Sequence, residues 1–159
     1  MKTCSCIIDK NEKAKQIRDL LRKDGDEIPE EDIQKITPKT LHQWVVECDC
    51  DNGEIIGAMK AEQTDWYLWT LKNAVVKKNL QGKGIGGTLM KKMVKKSIKQ
   101  GAKALAADIT YDNVKSKKMA KRMGFKPVSR FCWQKGKKPA DIMHYVLYPP
   151  DANNKCKAP

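Results

Sequence analysis

The segment Gln81-Gly82-Lys83-Gly84-Ile85-Gly86-Gly87 places four glycines within six residues, immediately before a strongly patterned helix. A run so rich in glycine is neither strand nor helix interior. It is a loop whose backbone comes close to something and exposes several N–H groups at once. Downstream, Leu89, Met90, Met93, Val94 and Ile98 recur at helical spacing, with Lys91, Lys92, Lys95, Lys96 and Lys99 on the outer face. The first amides of such a helix, and its dipole, favour an anion, so a phosphate ligand is the natural candidate.

Three readings of the loop compete. A Walker loop needs Gly-x-x-x-x-Gly-Lys-Ser/Thr, and that spacing is absent. A dinucleotide fingerprint, Gly-x-Gly-x-x-Gly, is present at Gly82, Gly84 and Gly87, with Asp108 downstream where a ribose-binding acid belongs. That fingerprint should directly follow a strand, whereas Lys77-Lys78-Asn79-Leu80-Gln81 intervenes after Val76. The third reading is a helix-start loop with no ligand.

Charge separates the chain into two regions. Residues Lys77 to Lys138 carry 19 basic and 2 acidic side chains, while Met1 to Val76 carry 11 basic and 15 acidic ones. The first region should attract a polyanion, and the second should tolerate or attract a cation. The basic region also fits a nucleic-acid-binding module, but no RNA-binding aromatic motif or zinc-finger spacing accompanies it. The 159 residues suit one domain over 1–150, with 151–159 as a short tail. No apolar run reaches the length of a membrane helix, and Asp9 and Lys10 cut short any signal-peptide core. A cytoplasmic location is therefore expected.

The elements read as β-α-α-β-β-β-α-β-α-β-β, a mixed α/β sheet. Strands are expected at Cys4–Asp9, His42–Cys50, Glu54–Glu62, Trp66–Val76, Ala104–Thr110, Val128–Gln134 and Ile142–Tyr148. Helices are expected from Asn11 as N-cap to Lys23, over Glu30–Ile36 after Pro29, through the patterned segment that ends at Gly101, and over Asn113–Met123. Strand alternation would put Trp66 on the face opposite Tyr67 and Trp69.

The stretch Val76-Lys77-Lys78-Asn79-Leu80-Gln81-Gly82-Lys83-Gly84-Ile85-Gly86 resembles the acetyl-CoA loop of the GNAT N-acetyltransferase superfamily, Arg/Gln-x-x-Gly-x-Gly/Ala, matched at Gln81, Gly84 and Gly86. A second stretch, Asn113 to Phe125, resembles that family's Asn-x-x-Ala/Ser helix ending in Gly-Phe. The resemblance implies a mostly antiparallel central sheet and an acyl-CoA N-acyltransferase that uses acetyl-CoA as cosubstrate. It places the pyrophosphate on the amides of Gln81, Gly82, Lys83, Gly84, Ile85 and Gly86, and the pantetheine arm along Ala74, Val75 and Val76. Asn113 and Ser116 stand where the family contacts the cofactor, and Lys117, Lys118 and Lys121 are further cations for a 3′-phosphate.

The resemblance implies direct attack by an acceptor amine, with Glu62 or Asp65 as the carboxylate base, and His42 and His144 as alternatives. The acceptor is expected to be a small molecule or peptide bearing a primary amine, and cationic. No membrane or nucleic-acid partner is expected, and the protein should be a monomer or homodimer. One departure stands out. Many members carry a tyrosine acid in the last helix, where this chain has Ala120. Water or another phenol (Tyr111, Tyr145 or Tyr148) would then protonate the thiolate, or the chain would be a CoA-binding homologue with weak catalysis.

In the family's sheet the first two strands are antiparallel neighbours, which would bring the pairs Cys4/Cys6 and Cys48/Cys50 to one corner. Packed thiols, with no metal and no disulfide, are the expectation for a reducing compartment.

Overall fold

Helix α1 (Lys10–Asp24) starts where the Asp9 carboxylate accepts hydrogen bonds from Asn11 N (2.8 Å) and Glu12 N (3.0 Å). Asp9, not Asn11, is thus the N-cap, and the chain before it is not extended as far as expected. Among the described residues strand β1 is Thr3–Cys4, and residues 7–9 lie outside it and lead into the cap. The computed structural model describes residues 3–4, 7–25, 28–135 and 138–149. The tail expected at 151–159 and the side chains of Cys4 and Cys6 lie outside the described residues.

The remaining elements are α2 (Glu30–Gln34), β2 (Trp44–Asp49), β3 (Ile55–Gln63), β4 (Leu68–Val76), α3 (Ile85–Lys99), β5 (Ala104–Thr110), α4 (Val114–Arg122), β6 (Lys126–Lys135) and β7 (Lys138–Leu147). Their order is the expected one. The sheet is mixed and mostly antiparallel, as the order implied. No helix among the described residues is long and apolar enough to cross a membrane.

The chain divides into two compact units. The first takes Met1–Glu62 and Leu71–Lys95. In it β1, β2, β3 and the end of β4 lie side by side. Ala14, Ile17, Leu20 and Leu21 of α1 and Ile33 of α2 pack with Ile36, Trp44, Cys48, Ile55, Ala58 and Val75. Each large side chain buried here contributes about 1.5–3 kcal/mol. Since α2 has five residues, packing rather than propensity holds it. Arg18 fastens its end by donating to Ile36 O at 2.6 Å.

The second unit takes Gln63–Thr70 and Lys96–Pro159. There Tyr67 O, just before β4, accepts from Lys103 N and Ala104 N, and β5, β7 and β6 follow in antiparallel pairing. Trp66 and Tyr67 lie in the turn before β4, not in the strand, because the Asp65 carboxylate captures Trp66 N at 2.7 Å. Their rings meet edge-on at 5.0 Å, so the expected placement on opposite faces does not hold.

Three further expectations are corrected. Ile98 is 42% exposed while Ser97 is buried, because the packed stripe of α3 runs through Leu89, Met90, Met93 and Val94 to position 97. Lys92 is not simply a solvated lysine, since its Nζ meets the carboxylate of Glu47, which is fully buried on β2 at a bulge. Cys48 is disulfide-bonded, against the expected free thiol. Cys48 is buried on β2 and stands in register with Cys4 of β1. Cys50 and Cys132 are exposed. Among the described residues no group of three His, Cys, Asp or Glu side chains is placed to hold a metal ion.

Apart from the Lys92 ammonium, neither Glu47 oxygen has a hydrogen-bond partner among the described residues, so the Lys92 charge is its compensation. Lys92→Met should therefore cost about 3 kcal/mol in urea denaturation, because it leaves a carboxylate buried alone. Glu47→Leu combined with Lys92→Met should be at least as stable as the parent, since neither desolvated charge then remains. A double variant no more stable than Lys92→Met would refute this account.

Candidate functional site

The glycine loop belongs to the first unit. After β4, Lys77 N donates to Ile56 O at 3.0 Å, and a turn of 3-10 helix over Lys78–Leu80 follows. Lys78 N reaches the carboxylate of Asp24, at the end of α1, at 3.4 Å. Gln81 Nε2 donates to Val76 O at 3.3 Å, so its side chain braces the loop against the strand end. Gly82 and Gly84 then adopt φ of 82° and 85°, the left-handed region that side chains rarely enter. The turn between Val76 and Gly82 also removes the dinucleotide reading, which needs the first glycine at the strand end.

The loop fits an anion. The N–H groups of Gly82, Lys83 and Gly84 meet no backbone acceptor among the described residues. Those of Ile85, Gly86 and Gly87 are first-turn donors of α3, which have no carbonyl one turn back. Nothing stands within 4 Å of a Cβ built on Gly82, Gly84 or Gly87, and the first turn of α3 carries no acidic residue. Amides without a backbone acceptor at the positive end of a helix dipole suit a pyrophosphate. Ile85 is buried, so it can offer its amide but not its side chain.

Gly57 of β3 seats this helix. A Cβ there would lie 2.9 Å from Leu89 Cδ1, 3.0 Å from Ile85 Cγ2 and 3.4 Å from Val75 O. Only glycine lets the start of α3 approach β3 this closely. Sequence reasoning missed Gly57, because nothing local distinguishes a glycine that accommodates a helix from one that ends a strand.

A cavity of about 230 Å³ opens in the same unit. Leu21, Ile28, Ile36 and Trp44 form its apolar wall, and Asp32, Lys60, Glu62, Lys72 and Asn73 supply its polar groups. Glu62 is ion-paired with Lys60, two residues earlier on β3. The Lys35 ammonium, 2.7 Å from Asp32, holds that carboxyl below its ordinary range, so Asp32 is charged at neutral pH. Asn73 directly precedes Ala74, Val75 and Val76. Cavity, strand end and glycine loop thus follow one another along β4 within one unit.

The other expected site residues, His42 apart, belong to the second unit. Asp65 lies in the exposed turn with its carboxylate committed to Trp66 N. Asn113 is the N-cap of α4, its Oδ1 accepting from Ser116 N at 3.0 Å. Ala120 is fully buried. Of the phenols, Tyr145 is buried and Tyr148 is exposed. The Tyr111 ring has Lys117 Nζ at 4.0 Å and Arg130 Cζ at 3.9 Å from its centroid, so Lys117 is engaged there rather than solvated. His42 Nδ1 is bound locally by Lys39 O at 2.8 Å. His144 Nδ1 is 2.6 Å from Asp108 Oδ1 across β5 and β7.

A mixed sheet in which a strand end leads through an open glycine loop into a helix is an α/β architecture suited to a phosphate-bearing ligand. The sequence profile of the Acetyltransferase (GNAT) family matches residues 14–125, and the chain belongs to that family. As a member it is an acyl-CoA N-acetyltransferase with acetyl-CoA as cosubstrate. Comparison with curated proteins finds no matching relative. Among solved structures the chain is similar to yncA of Salmonella typhimurium, solved with its cofactor acetyl-CoA, at 16% identity and a TM-score of 0.74, covering 100% of this chain and 98% of that one. It is similar to an N-acetyltransferase from Staphylococcus aureus Mu50, at 17% identity and a TM-score of 0.74, covering 93% and 99%. It is also similar to NAA60 of Arabidopsis thaliana in complex with a bisubstrate analogue, at 16% identity and a TM-score of 0.69, covering 85% and 91%.

Proposed function

We propose that this chain acetylates a primary amine on a small, cationic acceptor by direct attack on acetyl-CoA. The observation that carries this reading is the run along β4, where a cavity with two carboxylates is followed by a strand end and an open anion cradle. Acetyl-CoA supplies the activated acyl thioester. Gln81 through Gly86 hold the pyrophosphate, with Lys83 adding charge. Ala74, Val75 and Val76 take the pantetheine arm, and Asn113 and Ser116 are the further residues that the family's pattern assigns to the cofactor. Glu62 is the carboxylate that receives the acceptor's ammonium group and drains its proton through water. Asp65 has the weaker claim to that role, because its oxygen already serves the turn.

The excess of basic residues after Lys77 serves CoA phosphates rather than nucleic acid. The protein acts in the cytoplasm as a monomer or homodimer. The acidic balance of residues 1–76 supports an ammonium-bearing acceptor, and Asp32 and Glu62 border the cavity, each beside a lysine. Glu62→Gln should raise KM for the acceptor about tenfold, as expected for loss of a charged hydrogen bond, and leave acetyl-CoA affinity unchanged. An acceptor panel of polyamines, amino acids, aminoglycosides and lysine peptides, read by released thiol, tests the reading. Turnover confined to amine-free, anionic acceptors would sink it, as would acetyl-CoA binding without turnover of any of them.

A further inference from the structure

The charges around the cavity of the first unit do not cancel. Every residue that lines it belongs to that unit. Its two carboxylates each have a lysine already. Lys60 is ion-paired with Glu62, and Lys35, just outside the lining, stands 2.7 Å from Asp32. These four side chains form one network. Lys35 first, and Lys60 at longer range, hold the Asp32 carboxyl below its ordinary range. Asp32 first, with Glu31 and Glu62 at longer range, raises the Lys35 ammonium above its own. Lys72 of β4 also lines the cavity, and it has no hydrogen-bond or ion-pair partner among the described residues.

Three ammoniums thus surround two carboxylates. That balance separates the kinds of cationic acceptor. A polyamine or an aminoglycoside brings ammoniums alone, and each one entering adds to a surplus of like charge. A molecule with a carboxylate beside its ammoniums brings the missing anion to Lys72, in a charge-assisted hydrogen bond. Its ammonium can then share Glu62 with Lys60. Size points the same way. At about 230 Å³ the cavity lies below the roughly 300–1,000 Å³ of sites for drug-sized ligands, which suits a single amino acid. Leu21, Ile28, Ile36 and Trp44 give a methylene stem an apolar wall. Lys72 lies two residues before Ala74, so this cation and the strand end assigned to the pantetheine share β4.

We propose that the acceptor is a free basic amino acid, with two ammoniums and one carboxylate, and that Lys72 binds that carboxylate. The proposal rests on the transferase reading above and narrows its acceptor class. Glu62 keeps the role given to it there, receiving the ammonium that is to be acetylated. Lys72 selects the molecule on which that ammonium arrives.

The test compares each amino acid with the diamine left when its carboxyl group is removed. Lysine is set against cadaverine and ornithine against putrescine, with lysinamide as an uncharged match for the carboxylate. Released thiol gives kcat and KM on full-length protein, and calorimetry gives acetyl-CoA affinity. In the parent, at least one amino acid should exceed its diamine in kcat/KM by about tenfold, the worth of one charge-assisted hydrogen bond. Lysinamide should follow cadaverine. Lys72→Met should raise KM for the amino acid about tenfold, with kcat little changed, and erase the preference. Lys72→Arg should keep the preference, and Lys72→Glu should reverse it. Lys72 is exposed, so all three variants should fold and bind acetyl-CoA as the parent does. Diamines or other panel acceptors used as well as the amino acids, or in place of them, would overturn the proposal and leave the transferase reading standing. So would a preference that survives Lys72→Met and Lys72→Glu. Parent protein that binds no acetyl-CoA, or turns over no acceptor of the panel, would instead overturn the transferase reading, and this proposal with it.

Discussion

Gly84→Glu should abolish acetyl-CoA binding in calorimetry at concentrations that saturate the parent protein, a loss of at least about 100-fold. Two effects add. Gly84 sits at φ 85°, where a side chain costs roughly 1–2 kcal/mol. The new carboxylate would also stand among the amides of Gly82–Gly86, where the dipole of α3 favours an anion, and would both occupy and repel. Gly84→Ala separates the contributions, since it carries the backbone strain without the charge and should retain measurable binding. Circular dichroism should show both variants folded, because nothing lies within 4 Å of the added Cβ. Equal affinity for Gly84→Glu and the parent would remove the loop from the cofactor site.

Gly57→Val should be the most damaging single change in β3. Its Cβ alone would come within 2.9 Å of Leu89 and 3.0 Å of Ile85, and the two added methyl groups have no space. Overpacking of this kind costs about 1–3 kcal/mol, or roughly 5 °C in Tm for a chain of this length. The displaced element is the start of α3, so acetyl-CoA affinity should fall with stability although residue 57 touches no ligand. Gly57→Ala should show the same two effects, smaller. Thermal unfolding and calorimetry on the same samples check this, and a stable Gly57→Val with parental affinity would refute the account.

How far the molecule could be read from its sequence depends on the range of the forces involved. The periodicity of Leu89, Met90, Met93 and Val94 is local, and it located α3 well. The glycines of the loop announce their own backbone requirement, so the cradle was legible. Errors appear where two local signals compete. Asp9 and Asn11 are both good caps, and the one with two amides in reach took the role. Trp66 and Tyr67 favour strands as residue types, yet the Asp65 side chain turned the backbone first. What could not be read is contact between distant segments. The Glu47–Lys92 pair joins β2 to α3, and the cavity draws its lining from α1, α2, β2, β3, β4 and the segments between them. Glu62 was expected on the acceptor side from the resemblance and borders the cavity, whereas Lys72 and Asn73 gave no sign, because a polar residue on a strand says nothing about which opening it borders.

The cap on α4 limits what Asn113 can say to a ligand. Its Oδ1 is taken by Ser116 N, so the amide nitrogen is the group left to offer. Under the proposed assignment, a ligand group bound through that nitrogen would be an acceptor, as an amide carbonyl is. Asn113→Asp would keep the cap, since a carboxylate serves α4 equally well, while replacing the spare donor with an acceptor. Under the proposed assignment, folding and recognition at this residue would be carried by different atoms of one side chain, and a single change of nitrogen to oxygen would separate them.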